Sequence, residues 1–150
     1  MARKFSSKER GAVLVELALL APLLVTLVLG AIHFGYLFYL YNSLEKCVRD
    51  GARYAASRTF VSAASFSTAI RTVTAYGAVG SSTPIVPGLD PSKVTVTVLQ
   101  YDVNGRPVRI RVAINGWQYN GVLSPFFGTV TLNGKPALEM PFLGLYLPAT

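Results

Sequence analysis

The feature that most constrains the fold is a long apolar run near the N-terminus. No Lys, Arg, Asp or Glu occurs from Leu17 to Leu44, whereas a membrane-spanning helix needs only about 20 apolar residues. A helix over residues 12–41 would be about 45 Å long and would extend beyond a hydrocarbon core of about 30 Å. The sequence therefore predicts one membrane-spanning helix. Its outer end carries four aromatic residues, as an interfacial belt does: Tyr36, Phe38, Tyr39 and Tyr41.

The charges on either side of the run predict its orientation. Four basic residues and one acid, Glu9, precede it within residues 1–11. Positive charge before a first span favours a cytoplasmic N-terminus and an external C-terminal part. The net charge is +7, but the basic residues form no concentrated stripe outside the helix that follows the span. Nucleic-acid binding is therefore not expected.

The helix is predicted to continue beyond the membrane surface. Residues 41–58 place small and apolar side chains at three- and four-residue spacing, which is typical of one face of a helix. Glu45 and Arg49 form an i, i+4 pair on the opposite side. The predicted domains are a basic cytoplasmic leader (1–11), the transmembrane and continuing helix (12–58), and an extracytoplasmic domain (59–150).

The remaining sequence predicts a second helix followed by strands. Residues 62–80 have apolar side chains at helical spacing, with glycine stop signals at Gly77 and Gly80. After a loop rich in Ser, Pro and Gly, residues 93–101 and 108–114 alternate with a period of two and are joined through Asn104-Gly105. This pattern predicts a β-hairpin.

The C-terminal part extends the predicted sheet. A second hairpin is predicted through "TVTLNGKPALEM", with its turn at Asn133-Gly134. The valine face of the sheet is expected to pack on the helices and the Arg109 and Arg111 face to be solvated. The apolar segment "PFLGLYLPAT" is too short to span a membrane and is expected to pack on the sheet or on a partner. The fold class predicted is α+β, with a long N-terminal transmembrane helix that extends into a small domain made of a second helix and an antiparallel sheet.

The sequence offers no catalytic constellation. It has one histidine, His33, and one cysteine, Cys47, so neither a metal site nor an intramolecular disulfide is expected. No paired acids, phosphate-binding loop or nucleophile elbow is found. No enzymatic activity, metal or cofactor is predicted. His33 is interpreted as a neutral imidazole within a helix bundle, and Cys47 as a buried apolar residue or the site of an intermolecular disulfide.

Glu16 stands out because it is an acid at the start of the apolar run. An acid at the centre of a membrane costs about 3 kcal/mol on insertion scales. Glu16 lies about 7.5 Å along a helix from Gly11, so it could also remain near the interface and pair with Arg10. A small-xxx-small pair, Ala31 and Gly35, is a candidate helix-packing site.

The junction before Glu16 resembles a known processing site. "KERG" followed by "AVLVE" is similar to the cleavage site of type IV prepilin-like proteins. The resemblance implies cleavage between Gly11 and Ala12 by a prepilin peptidase, and an assembly role for Glu16. Cleavage would place an ammonium group on Ala12, four residues from Glu16 on the same helix face.

A wider stretch, residues 10–57, resembles the TadE-like minor pilins (pseudopilins) of tight-adherence pili. The segments that carry this resemblance are "GAVLVELALLAP", "GAIHFGYLFY" and "RDGARYAA". Leu17 follows the glutamate where the major pilins of these systems have tyrosine, which favours the minor branch. Pro22 belongs to the first segment and is expected to kink the helix.

The resemblance implies a subunit of the bacterial inner membrane that takes part in pilus assembly, and hence in adhesion. Its implied partners are membrane lipid, other pilins and minor pilins, the prepilin peptidase and the pilus assembly platform. An uncleaved single-pass subunit of a pilus or secretion platform is the alternative. A secreted domain behind a signal peptide is a third possibility, but the apolar run is longer than the 7 to 15 residues of such a signal.

Overall fold

The computed structural model describes residues 7–121 and 123–147. The chain divides into two compact units, Met1–Leu37 and Phe38–Thr150. Its elements, in chain order, are α1 (Ser7–Ser57), α2 (Ala63–Tyr76), a 3-10 helix (Pro91–Lys93), β1 (Val94–Tyr101), β2 (Pro107–Tyr119), α3 (Ser124–Phe127) and β3 (Val130–Pro141). The predicted α+β class is confirmed.

Helix α1 is continuous over 51 residues. It begins at Ser7 rather than at Ala12, so it includes part of the predicted leader, and it ends one residue before the predicted position 58. Residues 7–10 contain no helix breaker, and a single Gly11 costs too little to stop a helix. Pro22 lies inside the helix, where Thr26 Oγ1 donates a hydrogen bond to the Pro22 carbonyl at 2.8 Å.

The first unit contains a helix that is long and apolar enough to cross a membrane. Its aliphatic side chains are exposed, with Leu14, Leu19 and Leu27 each more than 60 % exposed. Exposed apolar surface of this extent is costly in water and is suited to lipid. The helix therefore suggests a membrane-anchored, single-pass protein.

Helix α2 confirms the second predicted helix and shows what ends it. The Ser62 side chain caps its first turn by accepting a hydrogen bond from the Ser65 N–H. At the other end Gly77 has a φ of 81°, and its N–H donates to the Val73 carbonyl at 2.8 Å. A left-handed residue at this place favours glycine, so the helix stops at the first of the two predicted glycines.

The three strands form one antiparallel sheet in the order β1-β2-β3. The hairpin between β1 and β2 is confirmed, with a loop of five residues, 102–106. Asp102 Oδ1 accepts hydrogen bonds from the N–H groups of Asn104 and Arg106 at 2.9 and 2.8 Å. Only Gly105 takes a positive φ in this loop, whereas a two-residue type I′ turn needs two such residues.

The second predicted hairpin is wrong. Asn133 and Gly134 lie inside β3, which continues to Pro141 and pairs with β2 along its length. The φ values of Gly134 and of Gly116 on β2 are 72° and 73°, and the pairing register shifts on either side of Asn115. The glycines therefore accommodate an irregularity in both strands instead of a chain reversal.

The second unit has one hydrophobic core between the helices and the sheet. Residues 40–55 of α1 contribute one side of their helix, as their spacing predicted, and α2 adds a second helical layer. Loop residues Val86 and Leu89 close the core beside Trp117, whose Nε1 donates to the Pro87 carbonyl at 3.1 Å. The buried members include Leu40, Leu44, Cys47, Val48, Ala52, Ala55, Phe66, Ile70, Val94, Ile110, Val112 and Ile114.

The C-terminal segment packs against both the sheet and the end of α1. The Phe142 N–H donates to the Val108 carbonyl at 2.9 Å, and the Leu143 N–H donates to the Ala56 carbonyl at 2.9 Å. Phe60 pairs with Tyr146 through a parallel bridge. The predicted packing of this segment on the sheet is thus confirmed for residues 142–147, while residues 148–150 lie outside the described residues.

Candidate functional site: the N-terminal helix

The predicted processing junction lies within α1. Gly11 and Ala12 are both exposed, and a Cβ built on Gly11 would meet nothing within 4 Å. The peptide bond between them is therefore open to approach from the side, although its backbone is helical. Residues 1–6 of the predicted leader lie outside the described residues.

Glu16 is exposed on the same helix. It lies four residues after Ala12, so the two share one face of α1 at about 6 Å along the axis. Among the described side chains Glu16 makes no salt bridge. The alternative partner, Arg10, has a side chain outside the described set. Within the described region the carboxylate is therefore available to a group from outside the chain.

Ala31 and Gly35 lie four residues apart on α1 and are both exposed. A Cβ on Gly35 would meet nothing within 4 Å, so the helix backbone is exposed at this point. Such small residues let a second helix approach closely. The structure thus places the predicted pair where another helix could pack.

His33, between these two residues in sequence, behaves differently. It is only 3 % exposed, and its ring lies edge-on to Phe34 with the centroids 5.8 Å apart. The interpretation of His33 as a neutral imidazole within a helix bundle concerns packing with other helices and stays a prediction.

Gly51 is a residue whose role the sequence did not reveal. A Cβ at this position would overlap Thr74 Oγ1 and would lie 3.0 Å from Thr74 Cβ. Thr74 is fully buried on α2, and its hydroxyl donates to the Ile70 carbonyl at 2.7 Å. The glycine therefore sets how closely α1 and α2 approach. The helical spacing of residues 41–58 placed Gly51 on the side of small and apolar residues, but only the contact with α2 explains why this residue is glycine.

Cys47 is 2 % exposed and lies in the core of the second unit as a free thiol. Burial of this degree keeps a thiol away from oxidants and other chains. We expect the full-length protein to show no disulfide-linked dimer on a diagonal gel, and Cys47 to react with a thiol reagent only after unfolding. Rapid labelling of the folded protein would contradict this prediction.

Part of α1 is similar to a known protein family. Residues 11–53 match the family model described as TadE-like protein. The match begins at the predicted junction, includes Glu16, Ala31 and Gly35, and ends two residues after Gly51, so it confirms the resemblance over less than a third of the chain. No curated protein and no solved structure matches the chain.

Proposed function

We propose that this chain is a minor pilin (pseudopilin) of a tight-adherence pilus, because residues 11–53 match the family model described as TadE-like protein. The subunit takes part in the assembly of a type IV-like filament used for adhesion and surface attachment. Its role is structural and not enzymatic. The observation that carries the proposal is the exposed Glu16 without a described ion-pair partner, five residues after Gly11 on an exposed apolar helix.

Physical chemistry supports this role for Glu16. A carboxylate is poorly solvated in lipid, so an opposite charge nearby stabilises it strongly. Cleavage after Gly11 creates such a charge, the ammonium group of Ala12. In a packed set of helices the Glu16 carboxylate of one subunit meets the Ala12 ammonium of its neighbour. This pairing fixes the axial position of each added helix.

The rest of the helix supplies the contact area. Its exposed leucines and valines pack in lipid before assembly and on other pilins after it. The bare surface at Ala31 and Gly35 is the proposed point of closest helix approach. The proposed partners are membrane lipid, other pilins and minor pilins, the prepilin peptidase and the assembly platform.

The proposed location is the bacterial inner membrane, with one span. The basic leader favours a cytoplasmic N-terminus. The second unit is then periplasmic, or extracellular once the filament forms. Two features of the sequence support this orientation. The leader is positively charged, and no charged residue occurs from Leu17 to Leu44.

One observation favours a second candidate function. Helix α1 runs unbroken from Ser7 through Gly11, and a helical backbone is a poor protease substrate until it opens. This favours an uncleaved single-pass subunit of a pilus or secretion platform. In that case the carboxylate of Glu16 stays near the interface and pairs with Arg10 or another subunit.

N-terminal sequencing of the protein from membranes distinguishes the two functions. A processed minor pilin begins at Ala12, whereas an uncleaved subunit retains residues 1–11. Gly11→Ile is expected to keep the leader attached, seen as a slower band on a gel, because a branched side chain blocks approach to the bond. Gly35→Ile is the matched control on the same helix and should leave cleavage unchanged. A wild-type protein that keeps its leader would contradict the minor-pilin proposal and favour the platform subunit.

A further inference from the structure

The two edges of the sheet differ in their chemistry. Strand β3 carries Lys135, Pro136, Glu139 and Pro141, and charges and prolines are the residues that prevent an edge from pairing with another chain. Strand β1, Val94–Tyr101, has neither a charge nor a proline. One edge is therefore protected by its sequence, and the other is not.

The unprotected edge is also unpaired in its middle part. β1 is terminal in the strand order, and within residues 7–121 and 123–147 its only ladder runs to β2. Beyond that ladder, no backbone hydrogen bond of residues 95–98 is found in the described part of the chain. Thr95 and Thr97 are exposed, while Val96 and Val98 are half-buried on the core side.

The regular part of this edge is short and symmetric in sequence. The pairing register with β2 is continuous from Val94 to Val98 and shifts after it, which confines any flat edge to these five residues. Their sequence, Val-Thr-Val-Thr-Val, reads the same in both directions. A two-fold axis at Val96 would therefore place Val94 opposite Val98 and Thr95 opposite Thr97.

The charges that flank β1 are held inside the chain. At one end Lys93 donates to the Gly88 carbonyl at 2.7 Å and lies 3.7 Å from an Asp90 carboxylate oxygen. At the other end Asp102 accepts the two loop N–H groups of Asn104 and Arg106. Neither charge has to be desolvated or repelled when a second strand approaches between them.

We infer that β1 pairs with β1 of a second copy of this chain, antiparallel about Val96, to form a sheet continuous across the two copies. Cross-strand β-branched pairs on both faces stabilise such a ladder. The chemistry that selects the second copy is the match of valine to valine and threonine to threonine, with no like charges opposed. A ladder of five residues is weak alone, but anchoring both copies in one membrane raises their effective concentration.

Disulfide trapping between two full-length copies tests the pairing. Two differently tagged copies, one Thr95→Cys and one Thr97→Cys, are produced together and their membranes treated with a mild oxidant. Residues directly opposite in an antiparallel pair have Cα atoms about 5 Å apart, within disulfide range. The mixed pair is expected to give roughly tenfold more cross-linked dimer than either variant alone, in which the two cysteines are offset by two residues and more than about 7 Å apart.

Two controls accompany the test. Val103→Cys places a fully exposed thiol in the adjoining loop, outside the ladder, and should cross-link no more than the parent chain, which retains the buried Cys47. Comparable cross-linking by Val103→Cys, or by the single variants, would show collision rather than pairing and would overturn the inference. Absence of a mixed dimer from folded protein would overturn it as well. The proposed pilin role predicts neither result and is tested separately by the N-terminal sequencing described above.

Discussion

Glu16→Leu is expected to remove the protein from sheared pili while leaving its amount in the membrane unchanged. The substitution removes a charge from the apolar run, where an acid costs up to about 3 kcal/mol at the membrane centre, so the helix enters the membrane at least as well as before. What it loses is the carboxylate that, in the proposed assembly, meets the ammonium group of a neighbouring subunit. The expected outcome is a nearly complete loss from the filament fraction, measured by immunoblotting sheared and membrane fractions.

Three variants define what this experiment measures. Glu16→Asp retains the charge and should retain part of the incorporation, whereas Glu16→Gln retains polarity alone and should not. Glu45→Gln removes a carboxylate elsewhere on α1, where Glu45 Oε1 lies 3.6 Å from Arg49 Nη2 on an exposed surface. It is expected to have no effect on incorporation, because exposed pairs of this kind contribute little. Normal incorporation of Glu16→Leu would contradict the assigned role.

Gly51→Val is expected to lower the free energy of unfolding of the second unit by about 3 kcal/mol, through overpacking against α2. The added atoms have no room beside Thr74, which is buried and hydrogen-bonded to its own helix. The single tryptophan, Trp117, is 2 % exposed in the same core. Its fluorescence during denaturant unfolding in detergent therefore reports on this unit.

Gly35→Val is the matched control, because a Cβ there meets nothing within 4 Å. It should leave the Trp117 transition unchanged. Thr74→Ala, which removes the overlapping hydroxyl, should recover part of the loss in the double variant, and a mutant cycle measures this coupling. Equal stability of Gly51→Val and wild type would show that α2 moves away freely, against the close packing of the two helices.

The helices and the first hairpin could be predicted because their signals are local. Helix α1 follows from an uninterrupted apolar run, and α2 from periodic apolar residues followed by the predicted stop signal Gly77. The β1–β2 hairpin follows from alternation on both sides of a short polar loop. In each case neighbouring residues alone determine the outcome.

The misplaced turn at Asn133-Gly134 has a non-local cause. The same dipeptide type favours a hairpin in isolation, but here Gly134 lies in a strand held by β2, where Gly116 shows a matching positive φ. Gly116 N–H also donates to the Asn133 side chain at 3.2 Å. Cross-strand pairing therefore decides the conformation, and no pattern within residues 130–141 contains that information.

The candidate site also combines features that depend on nearby residues with one that depends on a distant residue. Gly11, Glu16, Ala31 and Gly35 could be proposed as site residues from spacing and from resemblance, since they lie along one helix. The importance of Gly51 could not, because it depends on Thr74, a residue 23 positions away on another helix. The spacing of residues within one helix identifies which of them share a face. A close contact between two helices is known only from the structure that positions both.

The unbroken start of α1 has a consequence for the rate of the proposed cleavage after Gly11. A peptidase active site binds its substrate as an extended strand, so the bond after Gly11 must first leave the hydrogen-bonded helix that begins at Ser7. Glycine is about 1 kcal/mol less favourable in a helix than alanine, and helix ends open more readily than their middles. Fraying of these first turns would then set the pace of maturation. Hydrogen exchange at the amides of residues 10–13 is expected to be faster than at those of residues 20–30, and a peptidase that cuts only the open form would respond to that equilibrium as well as to the sequence.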